Sequence, residues 1–465
     1  MNDSIIYDWD KQGEATAPKL RFPDIHDETL RDGMQSPSVT DPSIERKYEI
    51  ARGIAKLGIY SISIGLPGAG QRAVDDATAL AELVRDEKLP LALGAACRTH
   101  PNDIQPIIDI SQKTGMPVEV MAFLGSSPIR MMAEKWDEDR LETLTRDAVR
   151  MGVSEGLPTS FVTEDTVHSP PSTLRRLFTA AIEEGADRLI LCDTVGSAAP
   201  HGVTALVRWT RALVEELGAV DKVRVDFHGH NDRCMALPNT LAAIEAGCDR
   251  VHGTMLGIGE RVGNTSTDQL LVNLKLAGVD MPELDALAHV IELVSDGGDW
   301  PIPWNYPVFG RDAFRTATGV HAAAVIKALK MGDTELADRI YSGVPAGWFG
   351  RKQEIGVGPM SGASNVRWWL HERGLPEDEE TVPHPPIEES RPGEETGAEQ
   401  TGGPADGSEE EAGGGYESAQ QPDAAATGED AATFTDLSSA IVSAWVLIVC
   451  PCAPTVSHRR AFSSL

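Results

Sequence analysis

The sequence predicts an α/β protein: a (β/α)8 TIM barrel followed by small helical C-terminal subdomains and a disordered acidic tail. Three observations predict it. Eight short apolar runs alternate with segments of helical periodicity, the pattern of βα units and a parallel sheet. Together these units occupy roughly 240 residues, the size of a closed barrel. After the first run, where an open doubly wound sheet usually carries a glycine-rich phosphate loop, the chain has Arg31 and Asp32.

The strand candidates, in order, are Leu20–His26, Ile59–Ile64, Leu89–Ala95, Val118–Phe123, Thr159–Thr163, Arg188–Asp193, Val223–Phe227 and Cys248–Met255. Helical patterns such as Pro42–Lys56 and Leu237–Ala246 separate them. Polar residues collect where these runs end. Asp32 follows the first, Arg98 the third, Ser126 and Ser127 the fourth, Glu164 the fifth, Thr194 the sixth, and His228 and His230 the seventh. A closed barrel gathers the C-terminal ends of its strands on one face, where barrel active sites lie.

The domain boundaries follow from composition. Residues 1–19 form an N-terminal extension, 20–279 the barrel, and 280–371 the C-terminal helical subdomains. Residues 372–430 turn to Gly, Pro, Glu, Ala and Ser, a signature of disorder. Residues 431–465 end the chain and include the apolar run Ala440–Val449, which is short for a bilayer span. Its role is left open among a docking segment, an interfacial anchor and a non-native reading frame.

Charge and cysteine usage narrow the function classes. The net charge is −30, and between Pro376 and Asp430 there are 17 Asp or Glu against one Arg. The sequence offers no dense basic face for a nucleic-acid backbone. The six cysteines include no C-x-x-C pair, and four sit in or near apolar runs, as expected for reduced thiols. The start, Met1-Asn-Asp-Ser-Ile-Ile-Tyr-Asp-Trp-Asp10, has no basic or apolar leader, which points to the cytoplasm with no membrane partner.

The chemistry concentrates in Asp226-Phe-His-Gly-His-Asn-Asp232. Residues i and i+2 of a strand share a face, so His228 and His230 can converge on one ion. The segment His26-Asp-Glu-Thr-Leu-Arg-Asp-Gly-Met-Gln35 offers Asp32 with Arg31 beside it. One carboxylate, two imidazoles and an adjacent guanidinium suit a divalent cation. The residue types do not choose among Mn²⁺, Co²⁺, Mg²⁺ and Zn²⁺. The plainer reading has the two histidines capping a strand and Asp32 paired with Arg31.

These two segments, with Gly257-Ile-Gly-Glu-Arg-Val-Gly-Asn264, resemble the 2-isopropylmalate synthase and homocitrate synthase family over roughly residues 20–370. The resemblance implies a metal-dependent barrel that condenses acetyl-CoA with a 2-oxo acid, as a homodimer, with Mn²⁺ or Co²⁺ preferred. Asp32, His228, His230 and Asn264 would hold the ion, and Arg31 would face the developing negative charge. Thr194 would hydrogen-bond the substrate carboxylate. His321, supported by Glu164, would take the acetyl proton, with Tyr341 near the same chemistry.

The chain departs from the family at three places. Ser63 stands where most relatives have Glu, His168 where many have Arg, and Arg233-Cys234 where relatives often have a small or apolar residue and Gly. A lost acid and a gained Arg233 favour a 2-oxo acid with a second anionic group, held by Arg98, Arg130 or Arg233. The runs Gly319–Lys327 and Ile355–Gly362 are most similar to 2-phosphinomethylmalate synthases, which implies phosphinopyruvate, or oxaloacetate as surrogate, in antibiotic biosynthesis. Homocitrate or 2-isopropylmalate synthesis is the alternative. A retro-aldol lyase of the 3-hydroxy-3-methylglutaryl-CoA type and a non-catalytic binding barrel are the more distant ones.

Overall fold

Eight strands close on one another in chain order, all parallel. They are β1 (Asp24–Asp27), β2 (Ser61–Ser63), β3 (Ala92–Arg98), β4 (Val118–Gly125), β5 (Thr159–Glu164), β6 (Arg188–Asp193), β7 (Arg224–Gly229) and β8 (Arg250–Gly253). The computed structural model describes residues 20–377, with Tyr7, Trp9 and Val382. The eight predicted runs are these eight strands, and the predicted barrel is the observed fold. Closure is made by β8 against β1, with Asp24 opposite Arg250 and His26 opposite His252.

The helices between strands are α1 (Ile44–Lys56), α2 (Gln71–Glu87), α3 (Pro101–Thr114), α4 (Pro128–Glu134), α5 (Glu138–Ser154), α6 (Pro171–Glu183), α7 (Pro200–Glu216) and α8 (Ala236–Glu245), followed by α9 (Thr267–Leu276) and α10 (Leu287–Gly297). Their starts are chemically marked. Ser43, Ser127 and Asp137 accept hydrogen bonds from the backbone N–H three residues on, supplying partners that the first helical turn lacks. The apolar faces of these helices pack against outward residues such as Phe161, Leu189 and Phe227, all fully buried.

Inward residues are of another kind. Arg250 is fully buried, donating to Asp226 Oδ2 (2.6 Å) and to both oxygens of Glu119 (2.8 and 2.7 Å). Arg188 adds a contact to Asp226 Oδ1 at 3.0 Å, and Ser160 donates to Glu119. This charged layer ties β4, β5, β6, β7 and β8 together across the barrel interior. Above it, toward the strands' C-terminal ends, stand His26, His228 and His252.

After the barrel come β9 (Arg315–Thr316), α11 (Gly319–Lys330), α12 (Thr334–Arg339), β10 (Glu354–Ile355) and α13 (Ala363–His371). They share a small apolar cluster of Ala322, Val325, Ile326, Ala328, Ala337 and Ile355. The predicted acidic tail from residue 378 on, apart from Val382, the terminal apolar run, and the predicted N-terminal extension, apart from Tyr7 and Trp9, lie outside the described residues. Among the described residues, no helix is long and apolar enough to cross a membrane.

Candidate active site

The C-terminal ends of the strands surround a cavity of about 510 Å³. Asp226 and His228 on β7, and His230 one residue past its end, follow one another at i, i+2 and i+4, so all three turn inward. Opposite them, the loop after β1 brings in Asp32. His228 Nε2 lies 3.3 Å from Asp32 Oδ2 and 3.3 Å from His230 Nε2, and His230 Nε2 lies 3.8 Å from the same Asp32 oxygen.

This cluster has the chemistry of an ion seat. Burial, then the nearby His228, lowers the His230 pKa to about 4, so the ring is neutral with a free lone pair. Burial alone would raise the Asp32 pKa, but the Arg31 charge and the histidines hold it well below the usual carboxylate range. Asp32 Oδ1 and Asn264 Oδ1 are buried without hydrogen-bond partners. Buried polar atoms rarely remain so, and a cation would use both. Asn264 bridges to His230 through the backbone. At Gly259 (φ +154°) an added Cβ would overlap the Asn264 amide and come within 3.4 Å of Asp32 Oδ1. Asp32, His228, His230 and Asn264 therefore fit a divalent cation.

Arg31 stands between two carboxylates. Its Nε and Nη2 donate to Glu28 at 2.7 Å each, and Nη1 is 3.3 Å from Asp32 Oδ2. Glu164 lines the opposite part of the cavity. Burial raises its pKa, with the Arg130 charge pulling the other way. Thr194 also lines the cavity, and its hydroxyl accepts from the Asp165 backbone N–H at 2.8 Å.

The other predicted residues are placed elsewhere. Arg98 is exposed and forms a forked pair with Asp103 in the first turn of α3, at 2.6 and 2.9 Å. Arg233 is exposed and donates to the Ser197 carbonyl at 2.6 Å. Arg130 is exposed, 3.2 Å from Glu134, with its stem over Gly125 at the end of β4. His168 pairs with Asp165 (2.8 Å) and Ser197 (3.0 Å) beside a separate cavity between α6 and α7. His321 and Tyr341 stack on each other with ring centroids 4.1 Å apart, both exposed and neither lining the cavity.

Glu28 and His252 line the cavity without having been given a role from the sequence. Glu28 is the carboxylate that fixes Arg31, and it lies inside the segment already singled out. His252 comes from β8, two residues after Arg250, and so faces inward with it. The signal for His252 was this alternation, masked in sequence because a lone His in an apolar run reads as core.

A family model described as HMGL-like matches residues 23–294. The chain is 32% identical over 363 residues to the homocitrate synthase AksA of Methanothermobacter thermautotrophicus, covering 77% of this chain and 86% of that protein. It is likewise 32% identical over 362 residues to a probable 2-isopropylmalate synthase of Methanopyrus kandleri, covering 77% and 67%. A solved structure of the Bacillus subtilis HMG-CoA lyase shares the fold, with a TM-score of 0.50 and 20% identity, covering 62% of this chain and 97% of that one. The relatives' names are those of the family that the motifs resemble, and the match spans the whole barrel. The chain belongs to the HMGL-like family.

Proposed function

We propose that this protein is an acyltransferase that condenses acetyl-CoA with a 2-oxo acid, giving a substituted malate and free CoA. The carrying observation is the convergence of Asp32, His228 and His230 on the wall of a cavity that Arg31 and Glu164 also line. The homocitrate and 2-isopropylmalate synthases among its relatives support the same reaction class. Asp32, His228, His230 and Asn264 would hold a divalent cation, which would supply Lewis-acid chemistry to the oxo acid.

The chain's own residues supply the rest. Glu28 clamps Arg31 so that its remaining face points toward Asp32, where negative charge grows as the ketone becomes an alkoxide. Thr194 sits at the cavity wall to orient the carboxylate. Removal of a proton from the acetyl methyl group leaves a carbanion that attacks the ketone carbon. The resulting alkoxide takes up a proton, and water cleaves the thioester, its oxygen joining the new carboxylate, one proton going to the departing CoA thiolate and the other to solvent. Glu164, its pKa raised by burial, is a cavity carboxylate suited to receive the methyl proton and to return it to the alkoxide. His321 and Tyr341 would join from a second copy, since neither lines the cavity of its own chain. The working unit on this reading is a homodimer.

For the oxo acid, the proposal is one with a second anionic group, phosphinopyruvate or oxaloacetate. Of the three arginines considered for that group, Arg130 is the one whose charge bears on a cavity residue, Glu164. The apolar wall of Leu66, Met121, Phe123, Val162 and Ile190 favours a second reading, an aliphatic oxo acid as in 2-isopropylmalate synthesis. Product mass spectrometry with phosphinopyruvate, oxaloacetate, 2-oxoglutarate and 2-oxoisovalerate separates the two. Turnover of the first pair, with KM rising in Arg130→Ala, is expected. Turnover of 2-oxoisovalerate alone would replace the anionic reading by the aliphatic one.

A further inference from the structure

We propose a second cation seat in the floor of the cavity, formed by Glu28, His252 and one ring nitrogen of His228. It rests on reading Asp32, His228 and His230 as a metal seat, and extends that reading inward. Each of the three inner residues offers a ligand atom within 4.8 Å of the others, and all three are buried. His252 Nδ1 is 3.4 Å from Glu28 Oε1, yet neither ring nitrogen of His252 makes a hydrogen bond. His252 Nε2 lies 3.5 Å from Asp226 Oδ2, but that carboxylate oxygen already accepts from Arg250 at 2.6 Å. This fully buried imidazole faces two carboxylate oxygens at ion-pair distance without a hydrogen bond to either, an arrangement that a cation between Glu28 and His252 would complete.

Arg31 links the two seats. With an ion at Asp32, the guanidinium keeps its paired hydrogen bonds to Glu28. With the ion on Glu28, Arg31 turns to Asp32, already 3.3 Å from its Nη1. The same two carboxylates, one guanidinium and one cation are present either way, so the exchange leaves the local charge unchanged. Two dications sharing His228 would repel strongly in this low-dielectric interior, so the seats fill one at a time. The outer seat, with Asn264 beside it, is richer in oxygen and suits Mn²⁺ or Mg²⁺. The inner one, with two imidazoles and one carboxylate, suits Zn²⁺ better. The inner seat would then hold a bound ion away from the substrate's chelating position.

Co²⁺ binding to the full chain, followed by calorimetry and by the metal's visible absorption, tests this. Wild type should bind one ion per chain. His230→Ala, which breaks the outer seat, should still bind one, with an altered spectrum, and His230→Ala with His252→Ala should bind none. Loss of all binding in His230→Ala would remove the inner seat and leave the outer reading standing. Retained binding in the double variant would also remove it, since the ion would then sit elsewhere. Wild type binding no ion would remove both readings. Should His230→Ala fail to fold by circular dichroism, Asp32→Asn serves in its place with the same expected results.

Discussion

Asp27 and Glu28 are neighbours, both buried, and their surroundings drive their carboxyl groups in opposite directions. Burial raises the Asp27 pKa to about 7, offset only in part by the Thr29 N–H and hydroxyl. Burial acts on Glu28 too, but the Arg31 charge, with His252 and His26, brings it well below the usual range. The consequence for Asp27 has a definite sign. Between the unfolded value near 4 and the folded value near 7, the folded state binds the extra proton, so stability falls as pH rises. The limiting slope is about 1.4 kcal/mol per pH unit. Wild type should therefore lose Tm between pH 5 and 7, and Asp27→Asn should lose distinctly less. Parallel curves for the two proteins in scanning calorimetry would show that Asp27 is not held protonated. At this scale the sequence was legible where spacing forces convergence, as for His228 and His230 on one strand face. It was illegible where a flexible side chain chooses among partners. Arg98 ends β3 but pairs with Asp103, whose carboxylate stands in the first turn of α3.

At the scale of elements, the alternation of apolar runs and helical patterns disclosed all eight strands, because a parallel sheet covered on both sides needs continuous apolar stretches. Strand limits were less legible. Cys248–Met255 narrows to Arg250–Gly253 because ladder pairing, not apolarity, ends a strand. The charged layer inside the barrel was also hidden, since Glu119, Asp226 and Arg250 are far apart in the chain. It makes a strong prediction. Arg250→Ala would leave Glu119 and Asp226 buried and unpaired, at a cost of about 3–5 kcal/mol. Arg176→Ala, in a surface network, should cost about 1 kcal/mol or less. Urea unfolding measures both, and equal losses would mean that the inner layer is not the stitch described. The loop after β8 carries another prediction. Gly259→Ala should push Asn264 away and weaken cation binding about tenfold or more, as changes around metal ligands commonly do. The control Gly343→Ala, where a Cβ meets open space, should leave binding alone. Equal cation affinity in the two variants would take Asn264 out of the seat.

At the scale of the whole molecule, the cavity and the stacked His321–Tyr341 pair belong to different parts of one chain. If two copies complete each other's sites, His228→Ala and His321→Ala should each be inactive alone. Mixed and allowed to exchange subunits, they should recover about a quarter of wild-type activity, from the dimers with one intact composite site. No recovery despite proven exchange would place His321 outside the shared chemistry. The sequence could suggest His321 by family resemblance, but it held no sign that the pair stands apart from the cavity, because no local spacing connects α11 to β7.

If the cluster of Asp32, His228 and His230 makes the cavity a condensing centre, thiol release must depend on both the cation and the oxo acid. CoA-thiol release from acetyl-CoA would be followed with a 2-oxo acid panel, before chelation, after EDTA treatment, and after Mn²⁺ or Co²⁺ is returned. Release should need an oxo acid, disappear on chelation, return with the cation, and be absent in His228→Ala throughout. Release that survives chelation and the His228→Ala change would contradict this reading of the cluster.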